Sequence, residues 1–215
     1  MTTRGCFMTL EGLDGAGKST HIEWIAHTLR AAGVDLICSR EPGGTALGER
    51  LREILLRDAM DLRAETLLMF AARSEHWYQH IQPALARGQW VLCDRYTDAS
   101  YAYQGGGRGL GAPAIEVLEN WALQGVKPDH TILFDIPLEV ARARLERGRE
   151  HADRFEREGA AFFERTRAAY LARVAEDPTR FHVVDARQAI AEVRSDLACF
   201  LHEVMRSHGI APVAP

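Results

Sequence analysis

Residues Gly12 to Ser19 read Gly-Leu-Asp-Gly-Ala-Gly-Lys-Ser, which fills every fixed position of the phosphate-loop pattern G-x-x-x-x-G-K-[ST]. The apolar run Cys6 to Leu10 precedes it and a helix-like stretch, Ser19 to Ala32, follows. That strand–loop–helix setting is the one the chemistry needs. Glycines let backbone N–H groups curl inward on a polyphosphate, and the helix adds the positive end of its dipole. Lys18 is spaced to reach the β- and γ-phosphates, and the Ser19 hydroxyl to ligate Mg²⁺. The loop therefore predicts a bound nucleoside triphosphate without saying what happens to it.

Further segments carry groups able to act on such a ligand. Arg40-Glu41-Pro42-Gly43-Gly44-Thr45 follows an apolar run, and ligands of a doubly wound sheet sit beyond the carboxyl ends of its strands. Asp94-Arg95 ends the run from Trp90. It offers a carboxylate for Mg²⁺ or its waters and a guanidinium fork suited to phosphate. Asp135 ends a similar run, so spacing alone does not choose between Asp94 and Asp135 as the metal carboxylate. Phe70 and Arg73 lie three apart on a helical pattern and share a face, fit to stack on a base and bond its edge, or to be a core ring and a surface charge. Ser100, Tyr103 and Gln104 precede a glycine patch, Gly105 to Gly111, read as a loop. Arg142, Arg144, Arg147, Arg149, Arg154 and Arg157 crowd a segment broken at Gly148. Such a segment, about 142–157, reads as a lid that brings cations to a transferring phosphoryl group and excludes water. His76 and His80 are four apart on a helix with no third ligand in view, so they read as packing rather than zinc.

These groups need a frame. Short apolar strands alternate with helices: strands at 34–38, 90–94, 130–135 and 181–185 join the one before the loop. Helices are expected at 48–56, 62–86, 113–122, 137–147, 158–175 and 188–206. In the first of these, Leu47, Leu51, Ile54 and Leu55 are spaced for one buried face. Buried strands between helices predict a parallel sheet covered on both faces, in one domain over 1–215 with a frayed tail from 207. A formal charge of −4 offers no basic excess for a nucleic-acid polymer. No apolar stretch reaches the roughly 18 residues that span a membrane. Cys6, Cys38, Cys93 and Cys199 form no C-x-x-C pair and read as buried free thiols in a reducing cytoplasm.

The order of these motifs resembles the thymidylate kinases over nearly the whole chain. The likeness rests on Gly12 to Thr20, on Arg40 to Thr45, on Asp94-Arg95-Tyr96 and on Ala102-Tyr103-Gln104-Gly105-Gly106-Gly107-Arg108. It implies a P-loop nucleoside-monophosphate kinase fold with a five-stranded parallel sheet, ATP as phosphoryl donor, Mg²⁺, dTMP as acceptor in dTTP biosynthesis, and a homodimer. It also implies that Gly12, Leu13, Asp14, Gly15, Ala16, Gly17, Lys18, Ser19 and Thr20 hold ATP. Metal contacts fall to Ser19, Asp94 and Glu41, and Asp14 meets the acceptor's 3′-hydroxyl. Arg95 clamps the dTMP phosphate, with Arg40 also on the acceptor side. Phe70 resembles the thymine-stacking ring and Arg73 the donor to the base carbonyl. Ser100 and Gln104 join the base pocket, and Tyr103 crowds the sugar 2′ position. Some members carry a catalytic arginine in the phosphate loop. Here that position is Gly15, so the resemblance is to the bacterial type, with Arg147 or Arg149 in the lid. In-line transfer without a covalent intermediate is the implied mechanism. A kinase for another nucleotide and a nucleotide-switch ATPase are the alternatives, and no N-K-x-D guanine motif supports a GTPase switch.

Overall fold

The computed structural model describes residues 4–148, 154–155 and 158–211. The chain runs β1 (Phe7–Gly12), α1 (Lys18–Ala31), β2 (Leu36–Arg40), α2 (Ala46–Arg57) and α3 (Leu62–His76). A π-helical turn, Trp77–Ile81, leads into α4 (Gln82–Ala86), then β3 (Trp90–Asp94) and α5 (Thr97–Ser100). A second π-helical segment, Tyr101–Gly107, precedes α6 (Ala112–Leu123), β4 (His130–Asp135) and α7 (Leu138–Gly148). The chain continues through α8 (Ala160–Glu176), β5 (Phe181–Asp185) and α9 (Ile190–Ser207).

The strands form one parallel sheet in the order β2-β3-β1-β4-β5, flanked by helices, as the alternation predicts. Every residue of the central β1 is buried, and its side chains alternate between two cores. Met8 and Leu10 pack with Ile25, Leu29, Ile132 and Leu197. Phe7, pointing the other way, packs with Phe70, Trp77, Val91 and Tyr96. β2 starts two residues later than expected and reaches Arg40, because its ladder with β3 continues to the Arg40–Asp94 pair. Both polar ends thus lie at the same edge of the sheet.

Some expectations change. The helix expected over 62–86 is continuous but loosens into the π turn just before Pro83, which has no N–H to give to the preceding turn. In α2 only Leu55 of the four apolar positions is fully buried, while Leu47 and Ile54 are exposed. Cys6 and Cys93 are buried, but Cys38 and Cys199 are exposed. The tail is packed farther than expected: the His208 ring meets Trp90 edge-on at 4.8 Å and the Ile210 N–H bonds the Met205 carbonyl.

The glycine patch also has a different job. Tyr101–Gly107 is a buried helical segment, not a loop, and it lies against α8. A Cβ on Gly106 would stand 2.5 Å from the Ala169 Cβ and 3.0 Å from the Arg165 carbonyl oxygen. A Cβ on Gly107 would strike Thr166 and Phe162. These glycines let two helices approach closely, which presents Tyr103 and Gln104 to the site. A Cβ at Gly105 meets nothing nearer than 3.5 Å. Gly106→Ala should therefore cost about 1–3 kcal/mol in urea unfolding, through forced separation from α8. Gly105→Ala should be close to neutral, and equal losses in the two variants would refute the packing account.

Candidate active site

Beyond the carboxyl ends of β1, β2 and β3 lies a cavity of about 480 Å³. The phosphate loop forms one wall. Gly12, Gly15 and Gly17 have φ of 137°, 82° and 93°, which only glycine adopts without strain. A Cβ at Gly12 would stand 2.5 Å from the Phe134 carbonyl oxygen. Leu13 and Ala16 are buried beneath the loop, and Ser19 and Thr20 open onto the cavity at the start of α1. The Lys18 ammonium donates to the carbonyls of Gly12 (3.1 Å) and Leu13 (3.2 Å). Burial and then the nearby Arg95 lower its pKa to about 8, against the pull of Asp94, Asp14 and Glu11.

Arg95 sits opposite. Its φ of 72° is left-handed, a strain of about 1–3 kcal/mol for a residue with a Cβ. The turn is fixed by its own N–H to the Leu10 carbonyl (2.9 Å) and by the Cys93 thiol donating to its carbonyl (3.1 Å). The guanidinium donates to Asp14 (2.8 Å), to the Tyr103 hydroxyl (3.1 Å) and to the Tyr170 hydroxyl (3.1 Å). The Tyr103 hydroxyl donates to Asp14 (3.0 Å) and the Tyr170 hydroxyl to Glu11 (2.8 Å). Burial opposes ionisation of Asp14, yet Arg95, Lys18 and these hydrogen bonds bring its pKa down to about 2. Glu11, wholly buried, is pushed up to about 7 by burial and then by Asp98.

A third wall would face an acceptor. The Arg73 guanidinium, buried on α3, donates to Glu41 (2.6 Å), to the Ser100 hydroxyl (2.9 Å) and to the Tyr96 carbonyl (2.8 Å). Five N–H groups less three leaves two for a ligand. Glu41 lines the cavity with both carboxylate oxygens already engaged. One oxygen takes Arg73 and the other meets His76 Nδ1 (3.0 Å), whose Nε2 meets Ser39 (2.7 Å). With both oxygens engaged, Glu41 holds Arg73 in place. Phe70 is buried in the core beside Arg73, whose guanidinium lies 4.9 Å from its ring centroid, and Met69, itself part of the other core cluster, is among the residues that line the cavity. One residue along a helix turns a side chain by about 100°, so the register decides which of the two faces the ligand.

The sheet resolves the two strand-end aspartates. Asp135 is held by Arg167 in a two-point ion pair of 2.7 and 2.8 Å. Asp94 lines the cavity, and its buried Oδ1 has no hydrogen-bond partner among the described residues. An orphaned carboxylate oxygen across from the Ser19 hydroxyl fits a hard cation such as Mg²⁺.

Arg52, which belongs to no motif, and Arg144, from the arginine-dense segment expected to act as a lid, both line this cavity. Arg52 is tethered to the Pro42 carbonyl (2.9 Å), and Arg144 lies by Gly17 of the loop. Glu49 is paired with Arg40 (2.9 Å), and no sequence motif marks Arg52. Among the described residues, Lys18, Arg40, Arg52, Arg73, Arg95 and Arg144 thus face Asp14, Glu41 and Asp94, an excess suited to several phosphates. The Arg147 side chain and Arg149 lie outside the described residues.

A family model described as thymidylate kinase matches residues 10–197. The chain belongs to the thymidylate kinase family. It is 62% identical over 197 residues to the thymidylate kinase of Bordetella petrii, covering 92% of this chain and 95% of that protein. Identity is 57% over 205 residues with that of Bordetella pertussis, covering 95% and 98%. With that of Cupriavidus metallidurans it is 59% over 191 residues, covering 89% and 94%. The cationic cavity is thus the natural seat for the family's ATP and Mg²⁺.

A lysine that sheds its proton near pH 8 must regain it to hold a triphosphate. ATP binding at pH 9 should therefore take up a proton, shown by calorimetry in buffers of different ionisation enthalpy. Lys18→Met should abolish the uptake. Equal uptake in the variant would place the proton elsewhere.

Proposed function

We infer that the protein transfers the γ-phosphoryl group of ATP to a phosphate oxygen of dTMP, giving ADP and dTDP, in dTTP biosynthesis. The bond from the γ-phosphorus to the β–γ bridging oxygen breaks as the bond to the dTMP oxygen forms, with no covalent enzyme intermediate. The observation that carries the residue assignment is the meeting of the phosphate loop, Arg95 and the Arg73 wall in one cavity. Two anions must be brought together, and fixed cations do that.

Lys18 and the loop amides take the ATP phosphates. Ser19 and Asp94 would hold Mg²⁺, which neutralises charge on the β- and γ-oxygens. Arg95 and Arg52 grip the dTMP phosphate, with Arg40 on the same side. Asp14 keeps Arg95 in place and faces the sugar hydroxyl, while Tyr103 lies under the sugar. Met69, Arg73, Ser100 and Gln104 receive the thymine. Arg144 flanks the phosphate loop, and Arg147 and Arg149 remain the lid cations of this reading. Phe70 supports Arg73 from the core rather than stacking on the base.

We also propose a homodimer across α3 and α6, which pack side by side. Leu67 on α3 is 56% exposed, and Val117 and Trp121, four apart on α6, are 67% and 83% exposed. Three large apolar side chains on adjoining helices suit a second copy of the chain. The exposed Leu47 and Ile54 of α2 extend the same reading. No helix among the described residues is long and apolar enough to cross a membrane, and four free cysteines accord with a cytoplasmic location.

ADP release should require dTMP and disappear in Lys18→Met. Equal release without an acceptor would favour a nucleotide-switch ATPase. Met69→Ala should raise the KM for dTMP about tenfold with little change for ATP. Phe70→Leu should lower Tm more than it alters that KM, and the reverse pattern would restore Phe70 as the stacking residue. Trp121→Asp should shift the sedimenting species to a monomer, and an unchanged dimer would move the interface elsewhere.

A further inference from the structure

Glu65 on α3 is 1% exposed and does not line the active-site cavity, yet Gln104 of the cavity wall and two arginines behind it, Arg108 and Arg154, converge on it. Its Oε1 accepts from the Gln104 side-chain amide nitrogen at 2.8 Å. Its Oε2 forms ion pairs with Arg108 (3.1 Å) and Arg154 (2.7 Å). The guanidinium groups of Arg108 and Arg154 lie 5.3 and 4.8 Å from the ring centroid of Phe155. Phe155 lines the cavity and meets Tyr103 edge-on at 6.0 Å. One buried carboxylate therefore touches the base wall directly and the Phe155 wall through two arginines.

The Gln104 contact has a chemical consequence. A carboxylate beside two guanidinium groups only accepts, so the amide of Gln104 must turn its NH₂ toward Glu65. Its carbonyl oxygen has no hydrogen-bond partner among the described residues and is left for the cavity. Ser100 is fixed in the complementary sense. Its oxygen accepts from Arg73, so its own proton is left to donate. The wall thus offers an acceptor at Gln104 and a donor at Ser100. An imide edge, N–H beside C=O, matches that pair. The edge of cytosine, an acceptor nitrogen beside an amino group, reverses it.

We propose that Glu65 is a positioning residue for base choice: it locks the Gln104 amide so that the pocket takes the imide edge of thymine and refuses an amino-pyrimidine. Through Arg108 and Arg154 the same carboxylate seats Phe155 over the cavity. This proposal rests on the reading that places the pyrimidine against Ser100 and Gln104.

The test compares kcat/KM for dTMP and dCMP in Glu65→Gln, Glu65→Asp, Gln104→Met and the Glu65→Gln/Gln104→Met double variant. A glutamine at 65 both donates and accepts, so Gln104 is freed to turn over. The dTMP-over-dCMP ratio should fall about tenfold, mainly through KM, with kcat for dTMP within about threefold of the parent. Glu65→Asp keeps the charge against both arginines but is one methylene shorter. It should fold even if Glu65→Gln does not, and should lower the ratio in the same direction. In the Gln104→Met background, Glu65→Gln should change the ratio by less than about twofold, because the two residues act as one unit. A merely structural Glu65 would lower Tm and both activities together and leave the ratio alone. If Gln104→Met lowers the ratio while every folded Glu65 variant keeps it, the positioning role is overturned and the pocket reading stands. If Gln104→Met itself keeps the ratio, the pocket reading fails and takes this proposal with it.

Discussion

The ion pair of Arg95 and Asp14, 2.8 Å apart, is the contact on which the cationic site depends. Among the described residues six cationic side chains face one cavity, and three carboxylates only partly offset them. Two unit charges 4 Å apart interact by about 4 kcal/mol at an effective dielectric of 20, so unbalanced neighbours would drive the walls apart. Asp14 relieves that strain at the point where the phosphate loop faces Arg95. Lys18 registers what repulsion and burial remain, since it holds its proton less firmly than a free lysine. A ligand carrying several phosphates completes the balance, and the cations need little rearrangement to meet it.

That pair works because other groups hold it still. Arg95 is kept in a left-handed backbone conformation by a hydrogen bond to β1 and by the thiol of Cys93. Its guanidinium donates to two tyrosine hydroxyls, which in turn donate to Asp14 and Glu11. Tyr103 is in reach because Gly106 and Gly107 let its helical segment press on α8, where Tyr170 resides. The same economy recurs on the acceptor side, where Glu41 and Ser100 aim Arg73. Several carboxylates that read as chemical groups in isolation thus serve to orient arginines. A buried guanidinium without such partners would be far too costly to keep.

What the sequence determined by itself was whatever depends on local pattern. Fixed spacing and glycine conformation define the phosphate loop, and alternation of apolar strands with helices requires a covered parallel sheet. Strands β3, β4 and β5 begin and end where the apolar runs do. Arg73, Arg95, Ser100, Tyr103 and Gln104 could be named because they stand beside such runs in a familiar order, and all of them line the cavity. Tertiary structure decided everything that depends on direction. Met69 and Phe70 are equally apolar neighbours, and only the packing of α3 against the sheet sends them to different core clusters and puts Met69 at the cavity. Asp94 and Asp135 end similar strands, and only the position of Arg167 occupies one and leaves the other open. Arg52, Glu11 and Glu65 carry no motif. Their roles arise from residues distant in sequence, and linear spacing does not encode a hydrogen bond from Gln104 on one helix to Glu65 on another.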